Sequence, residues 1–437
     1  MPLWMRIILL FSIVLVAQPI GIFWVTGDNY SLEAYSAAIN SGSVRRQIAL
    51  IILALWAVVE LASNTRRMRI NGILGRLVLW FLFLSIASIT WADDPALSVK
   101  RVAVLMILAF SALAVAERLT LEDITAFAFW GTGIALVLGW GNEIVQGVFY
   151  PLDRAYRFAG GMHPNTQGVY CGFLSISGIT LARSAKRHRY LFALGAIMGF
   201  TFLILTKSRA SVAAYVVSIG VYLAITSRRS FYRGVWAAWS AVVIALAYIL
   251  LYGEAVKTLW DVVLMGRGED VYTPTLMGRT ELWQTLLAYV YQRPILGYGY
   301  GSFWTVRRLS SITQEQGWIF GSAHSGYLEM LLGIGLVGAS TYVAILVKGL
   351  ARSIAIYRRS HAVGFSFGAA AIVFVLIAMV LQTVPLEPHL PMFSCMAIVA
   401  KLSFLPGDNY NKVPSGSVQH ELHLRGKAID PETGRVL

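Results

Sequence analysis

A succession of apolar runs broken only by short polar segments is the strongest constraint on how this chain folds. The runs fall near residues 4–25, 46–63, 72–91, 97–116, 122–146, 165–183, 189–206, 209–227, 234–252, 325–349, 364–385 and 389–405. A helix needs about 20 apolar residues to cross the hydrocarbon layer, so the pattern predicts an all-α, polytopic membrane bundle of about twelve transmembrane helices. Only 13% of the 437 residues are charged, against about 25% in a typical soluble domain. The formal net charge of +14 raises nucleic acid as a partner. The cations, however, sit in short clusters between apolar runs, where they set topology and meet anionic headgroups, so no nucleic acid is expected. Cys171 and Cys395 both lie in predicted spans, which excludes a disulfide framework.

The distribution of cations orients the bundle. Arg66, Arg67 and Arg69 follow the second run, and Arg183, Lys186, Arg187 and Arg189 surround the end of the sixth. Arg228, Arg229 and Arg233 follow the eighth, while Lys348, Arg352, Arg358 and Arg359 close the tenth. All fall on one side if both termini are cytoplasmic, as the positive-inside rule requires. Arg6 precedes the first apolar run as it does in a signal peptide, but the run continues to Val25, so an uncleaved span is expected. Residues 1–405 then form one bundle and residues 406–437 a disordered cytoplasmic tail.

This topology leaves residues 253–324 as the longest outer segment. Leu282, Trp283, Leu286, Leu287 and Val290 recur at helical spacing, which predicts an amphipathic helix on the membrane surface. It ends at Arg293-Pro294, because the residue before proline avoids helical geometry. Residues 297–301 (Gly297-Tyr298-Gly299-Tyr300-Gly301) read as a flexible turn. They match neither a potassium filter, which needs four copies, nor a dinucleotide loop, which needs a preceding strand.

Charge inside a bilayer is costly, by about 2.5–3.5 kcal/mol even on insertion scales. The ionisable groups here gather at the outer ends of the runs. Asp93, Asp94, Lys100 and Arg101 begin the fourth, Glu143 lies near the end of the fifth, and Arg154, Arg157 and His163 occupy the next outer loop. Lys207 and Arg209 form the turn before the eighth, and Arg279, Arg293 and His324 belong to the long segment. Such a cluster over an empty midplane points to chemistry at one membrane face; a transporter more often puts polar groups at mid-depth.

Arg154, Arg157, Lys207 and Arg293 suit interfacial anchoring by snorkelling as well as they suit a ligand. Arg209 is harder to explain that way, since it stands at a helix N-terminus on the side where positive charge is disfavoured. Guanidinium matches phosphate bidentately, and a helix N-terminus adds unpaired N–H donors. Arg279 follows the same logic, with Thr280 as a candidate cap. Two such arginines suit a diphosphate. His324 reads either as an interfacial histidine or as a general base, its ordinary pKa near 6.5 suiting removal of a hydroxyl proton. Asn165 is expected to cap the sixth span, and Gly333, Gly335 and Gly338 to permit close helix packing. His163, His324, Glu387 and His389 lack metal-ligand spacing, so no metal and no cofactor is expected.

Taken together, these motifs resemble the O-antigen ligase and O-antigen polymerase superfamily of bacterial inner-membrane glycosyltransferases. The carrying residues are Ser208-Arg209, Gly278-Arg279 with Trp283, residues 294–303, and Ala323-His324-Ser325-Gly326-Tyr327-Leu328-Glu329 with Gly335 and Gly338. Their order covers about residues 205–340. The resemblance implies a GT-C-like bundle with a large periplasmic loop carrying short helices. It also implies metal-independent, inverting transfer of a glycan from undecaprenyl diphosphate at the periplasmic face. Arg209 and Arg279 would grip the diphosphate and His324 would activate the acceptor hydroxyl. Arg154 and Arg157 are added as further diphosphate contacts, and Lys207, Tyr327 and Glu329 complete the expected substrate-binding set.

Many family members carry Asn after the histidine, where this chain has Ser325. That departure and the residue 294–303 turn look closer to the exopolysaccharide-polymerase branch, whose acceptor is another lipid-linked repeat. Expected partners are the lipid-linked glycan, a glycan or lipid acceptor, membrane lipids, and a chain-length regulator or export complex. An O-antigen ligase delivering glycan to lipid A core is the near alternative. A flippase of lipid-linked oligosaccharide and a non-catalytic assembly component are the alternatives of different class.

Overall fold

The computed structural model describes residues 44–63, 70, 72–153, 156–185, 187–227, 279–316, 321–383 and 389–404. The expected spans at 4–25 and 234–252, residues 253–278 of the long outer segment, Arg154 and the tail from 406 lie outside the described residues. The described chain is helical. Its helices are α1 (Val44–Ala62), α2 (Gly72–Ala87, continued by a 3-10 turn to Trp91), α3 (Pro95–Arg118), α4 (Leu121–Val145), α5 (Pro164–Ser184) and α6 (Arg189–Leu205). They continue with α7 (Arg209–Thr226), α8 (Arg279–Gln292), α9 (Val306–Gln316), α10 (Gly326–Ser360), α11 (Val363–Ala378) and α12 (Leu390–Phe404). By length and composition, the helical stretches Gly72–Trp91, Pro95–Arg118, Leu121–Val145, Arg209–Thr226 and Gly326–Ser360 suffice to cross a membrane. The protein is a polytopic helical membrane protein.

Local chemistry sets the helix starts. Asp94 caps α3 by accepting from the Leu97 amide at 2.9 Å, with Pro95 at the first helical position. Thr120 and Asp123 form a reciprocal capping box on α4, which satisfies two of the amides a helix leaves unbonded. At the opposite end of the bundle, Arg118 pairs with Glu60 at 2.7 Å. Lys401 donates to the carbonyls of Ala116 and Leu119, where a cation complements the helix C-terminus.

Two helices form the interior. Helix α5 is buried over most of its length, from Pro164 to Leu181, and packs on α4, α6, α7 and α11. Helix α11 is buried from Gly364 to Val375 and packs on α4, α5, α7 and α10. Gly168 shows how close the approach is: a Cβ there would lie 2.7 Å from Ser211 Oγ. By contrast, α1 exposes Ile48, Ile51, Leu55, Val58 and Val59, the face a lipid-contacting helix presents.

The tenth apolar run is not one straight helix. Ile334 and Gly335 leave helical geometry, Gly335 with φ +62°, and residues 294–301 dock into the break. The Leu336 amide donates to Pro294 O at 2.8 Å and the Tyr298 amide to Leu332 O at 2.8 Å. A Cβ on Gly335 would fall on the Ile295 carbonyl. Buried irregular backbone of this kind is tolerated at membrane depth because protein partners satisfy it. The expected flexible turn at 297–301 is therefore a firmly held one, and Gly335 serves this docking more than helix–helix contact.

Helix α8 ends where expected, but it already includes Arg279, so Thr280 lies within the helix and is not its cap, and its apolar face has a different cover. Leu282 and Leu286 are fully buried in a small core with Tyr298, Phe303, Ile312, Ala323, Leu328 and Leu332. Its inner stripe thus faces protein and not a membrane surface. Asp93 latches this module to the bundle by pairing with Arg293 at 2.6 Å and with Arg308. Both guanidinium groups also lie over the Tyr298 ring, at 4.8 and 4.2 Å from its centroid.

Candidate functional site

The site is built at the end of the bundle where α5, α7 and α10 begin and α11 ends. Helix α7 starts at Arg209, with Ser208 as its cap. Helix α10 starts at Gly326, with Ser325 as its cap. The residue before each cap is left-handed: Lys207 has φ +50° and His324 has φ +51°. That conformation is uncommon for residues with a Cβ and costs about 1–3 kcal/mol. It therefore persists only where neighbours hold it.

The neighbours of His324 do so from both sides. The Ala323 amide donates to Glu329 Oε1 at 2.6 Å, and the Ala323 carbonyl accepts from Trp283 Nε1 at 2.8 Å. Trp304 Nε1 lies 3.0 and 3.1 Å from the two Glu329 oxygens. Glu329 is only 3% exposed, so its carboxylate is a buried anchor for the histidine turn. Tyr327, half-buried, donates its hydroxyl to the Leu376 carbonyl at 2.7 Å and so ties α10 to α11.

Residues 379–383 link the predicted cationic and histidine positions. Their apolar start reads as a continuation of the eleventh span, but α11 ends at Ala378 and a turn follows. The Met379 carbonyl accepts from the Gly326 amide at 2.8 Å and from Ser325 Oγ at 3.3 Å. The Leu381 carbonyl accepts from Arg279 Nη1 at 3.1 Å. Gln382 Nε2 reaches Ser208 Oγ at 3.2 Å and Ser211 Oγ at 2.8 Å. One short turn thus touches Arg279 itself, the cap beside Arg209 and the cap beside His324. Nothing in the sequence singles it out except the polar pair Gln382-Thr383 at the end of an apolar run.

Arg157 joins from the loop between α4 and α5. Its Nε donates to the Thr206 carbonyl at 3.1 Å and its Nη2 to Asn165 Oδ1 at 3.1 Å. Asn165 is not the cap of α5; His163 is, with its Nδ1 accepting from the Asn165 amide at 3.1 Å. Behind this loop Glu143 Oε1 accepts from the Ala159 and Gly160 amides at 2.8 and 2.7 Å. Tyr156 donates to the other Glu143 oxygen. Burial, with the Glu143 hydrogen bond and charge adding to it, pushes the Tyr156 phenol well above its ordinary value. Arg154 lies outside the described residues. Among the described residues, no group of three or more His, Cys, Asp or Glu side chains comes together as a metal site would require.

An arrangement of arginines, two helix N-termini and a histidine suits an anionic leaving group and a hydroxyl nucleophile. Comparison with known proteins points the same way. Residues 193–343 match a family model described as O-antigen ligase. Over those residues the chain is similar to that family. It is also similar to the exopolysaccharide production protein ExoQ of Rhizobium meliloti (strain 1021), with 26% identity over 72% of each chain. The matched stretch contains Arg209, Arg279, His324, Tyr327 and Glu329 but stops short of the residue 379–383 turn.

Proposed function

We propose that this protein is a member of the O-antigen ligase and polymerase superfamily and an inner-membrane glycan polymerase. In this reading it transfers a growing glycan from undecaprenyl diphosphate to a hydroxyl of another lipid-linked repeat at the periplasmic face, with both termini cytoplasmic. His324 accepts the proton of the acceptor hydroxyl. The acceptor oxygen bonds to the anomeric carbon from the side opposite the carrier, which inverts that centre. The bond from that carbon to the phosphate oxygen breaks, and its electron pair leaves with the diphosphate. Arg209 and Arg279 stabilise the charge that develops there, the kind of term that usually contributes most to such catalysis. Arg157 and Lys207 extend the anion-binding surface; Arg154 is a further candidate. We read Glu329 and Tyr327 as groups that hold the His324 turn.

The observation that carries this reading is the convergence of Arg279 and of the caps beside Arg209 and His324 on residues 379–383. Similarity to an exopolysaccharide production protein favours polymerase. The O-antigen ligase description of the matching family favours the second reading, transfer to lipid A core. In cells, His324→Ala and Arg279→Ala should each abolish long glycan while the protein still accumulates; near-normal polymer in either variant sinks the assignment. A deletion strain separates the two readings. Loss of long polymer with accumulation of single repeats marks a polymerase, whereas polymer retained on its carrier marks a ligase.

A further inference from the structure

Gln382 is buried, at 6% exposure, and its side-chain amide meets the hydroxyls of Ser208 and Ser211. Counting hydrogens shows what its amide contributes. Ser211 Oγ gives its hydrogen to the Asn165 carbonyl at 3.2 Å, and Ser208 Oγ gives its hydrogen to Ser211 Oγ at 3.0 Å. Ser208 Oγ also accepts from the Ser211 amide at 3.5 Å. Both hydroxyl hydrogens are therefore committed, and what remains on each oxygen is acceptor capacity. A side-chain amide offers two N–H donors, and Gln382 Nε2 lies within reach of both oxygens, at 3.2 and 2.8 Å. A carboxylate of the same shape has no hydrogen to give.

The backbone of the same residue faces the other way. Its carbonyl accepts from the Gly326 amide at 2.9 Å, two residues beyond His324. Gln382 is thus bonded at once to the start of α7, which carries Arg209, and to the start of α10, which follows His324. The chain of contacts continues through Ser211 to Asn165 and from Asn165 to Arg157. At Gly168 there is no room for α5 to yield, since even a methyl group there would press on Ser208 and Ser211.

We infer that Gln382 is a positioning residue whose side-chain amide fixes the spacing between the Arg209 helix end and the His324 turn. The inference rests on the proposed roles of Arg209 and His324. Donor binding draws on Arg279 and Arg157 as well, so loosening this link separates turnover from affinity. Misplacing reacting groups by about 1 Å costs on the order of 100-fold in rate.

The test uses the purified full-length protein in detergent, elongating lipid-linked repeats extracted from a strain lacking it. Gln382→Met keeps the volume and removes both donors; Gln382→Glu keeps the shape and reverses the hydrogen-bond polarity. Each should lower kcat by about 10- to 100-fold with donor KM changed less than about threefold. Gln382→Asn, which keeps the donors on a shorter stem, should recover part of the loss. Adding Ser211→Ala to Gln382→Met should cost less than the two single losses multiplied, because contacting residues couple. Wild-type kcat in folded Gln382→Met, or a Gln382→Glu as active as wild type, overturns the inference. So does a loss that appears in KM alone. If Gln382→Met does not accumulate, Gln382→Asn decides: full activity there refutes a spacing role and partial activity sustains it. His324→Ala in the same assay separates the levels. An active His324→Ala defeats the site reading itself, while an inactive one beside a normal Gln382→Met defeats only the role of Gln382.

Discussion

Replacing Glu329 by glutamine tests the His324 brace with the smallest possible change. The carboxylate accepts from the Ala323 amide and the Trp304 indole in a buried position. A hydrogen bond to a charged group of this kind contributes about 1.5–3 kcal/mol. The left-handed conformation at His324 opposes it with about 1–3 kcal/mol of strain. These terms are of the same size, so losing one bond lets the turn relax. In glutamine an amide oxygen at the Oε1 place still reaches both donors, but the amide nitrogen at the Oε2 place confronts the Trp304 indole across 3.1 Å and the charge that strengthens both bonds is gone, so about one charged bond is lost. Taking about 2 kcal/mol, and about 1.4 kcal/mol per factor of ten, the fraction of protein with His324 correctly held falls about 30-fold. We therefore expect kcat for elongation to drop by about that factor. Donor KM should stay nearly unchanged, because Arg279 and Arg209 stand on other helices. Trp304→Phe, which leaves the Ala323 bond intact, should fall between the two. A folded Glu329→Gln protein with wild-type kcat would show that the brace does not govern His324. A change in KM without one in kcat would instead put Glu329 against the substrate.

Three further outcomes follow from the same geometry. Gly335→Ala should lower the thermal midpoint and expose residues 293–301 to proteolysis, since its φ is +62° and the new Cβ meets the Ile295 carbonyl; an unchanged proteolytic pattern would argue against the docked loop. Tyr156 has a phenol raised by burial first and by Glu143 second, so its contribution to stability is fully present below the ordinary phenol value near 10 and is lost as pH rises through the higher folded value. Thermal midpoints above about pH 10 should fall more steeply for wild type than for Tyr156→Phe; parallel curves would refute this. Lys207→Gly and Lys207→Ala remove the same charge, but only glycine adopts φ +50° without penalty. Both should raise donor KM alike, while the glycine variant should be more stable than the alanine variant by about 1–2 kcal/mol, because lysine and alanine carry the same left-handed penalty; equal stabilities would show that the left-handed turn is not held under strain.

The helical plan is largely legible in the sequence because it follows from length and apolarity. Helix α8 illustrates both the strength and the limit of periodicity. The spacing of Leu282 and Leu286 identifies a helix with one apolar face, yet periodicity does not say what covers that face, and here it is the protein. The residue 294–301 turn reads as flexible, though it is held, for a related reason. Glycines signal unusual backbone, but the partners that fix it are the carbonyl of Leu332 and the amides of Leu336 and Val337, and backbone groups have no sequence signature. At the start of α5 the cap lies two residues before the expected asparagine, because histidine accepting through Nδ1 competes with the more usual capping side chain. Arg209, Arg279 and His324 are legible as ionisable groups out of place near a membrane; the turn that links their surroundings is not. Met379, Val380 and Leu381 are apolar, and this stretch acts through main-chain carbonyls that any residue would supply.

The left-handed residues before α7 and α10 suggest why that turn matters. In both places a long or aromatic polar side chain, Lys207 or His324, directly precedes a serine cap, and the helix then begins. A left-handed residue just before a cap reverses the chain direction sharply, so the side chain and the unbonded amides of the helix end serve the same small region. Helix ends of this kind attract anions through those amides and the aligned peptide dipoles. Two such ends aimed at random would bind two separate anions weakly. Residues 379–383 remove that freedom by bonding Ser325 through a carbonyl and Ser208 through the Gln382 amide, while also holding the Arg279 guanidinium. The backbone strain at Lys207 and His324 and the buried amide of Gln382 are then parts of one device. Each is unfavourable or wasteful alone, and together they hold two helix ends and Arg279 to a single geometry.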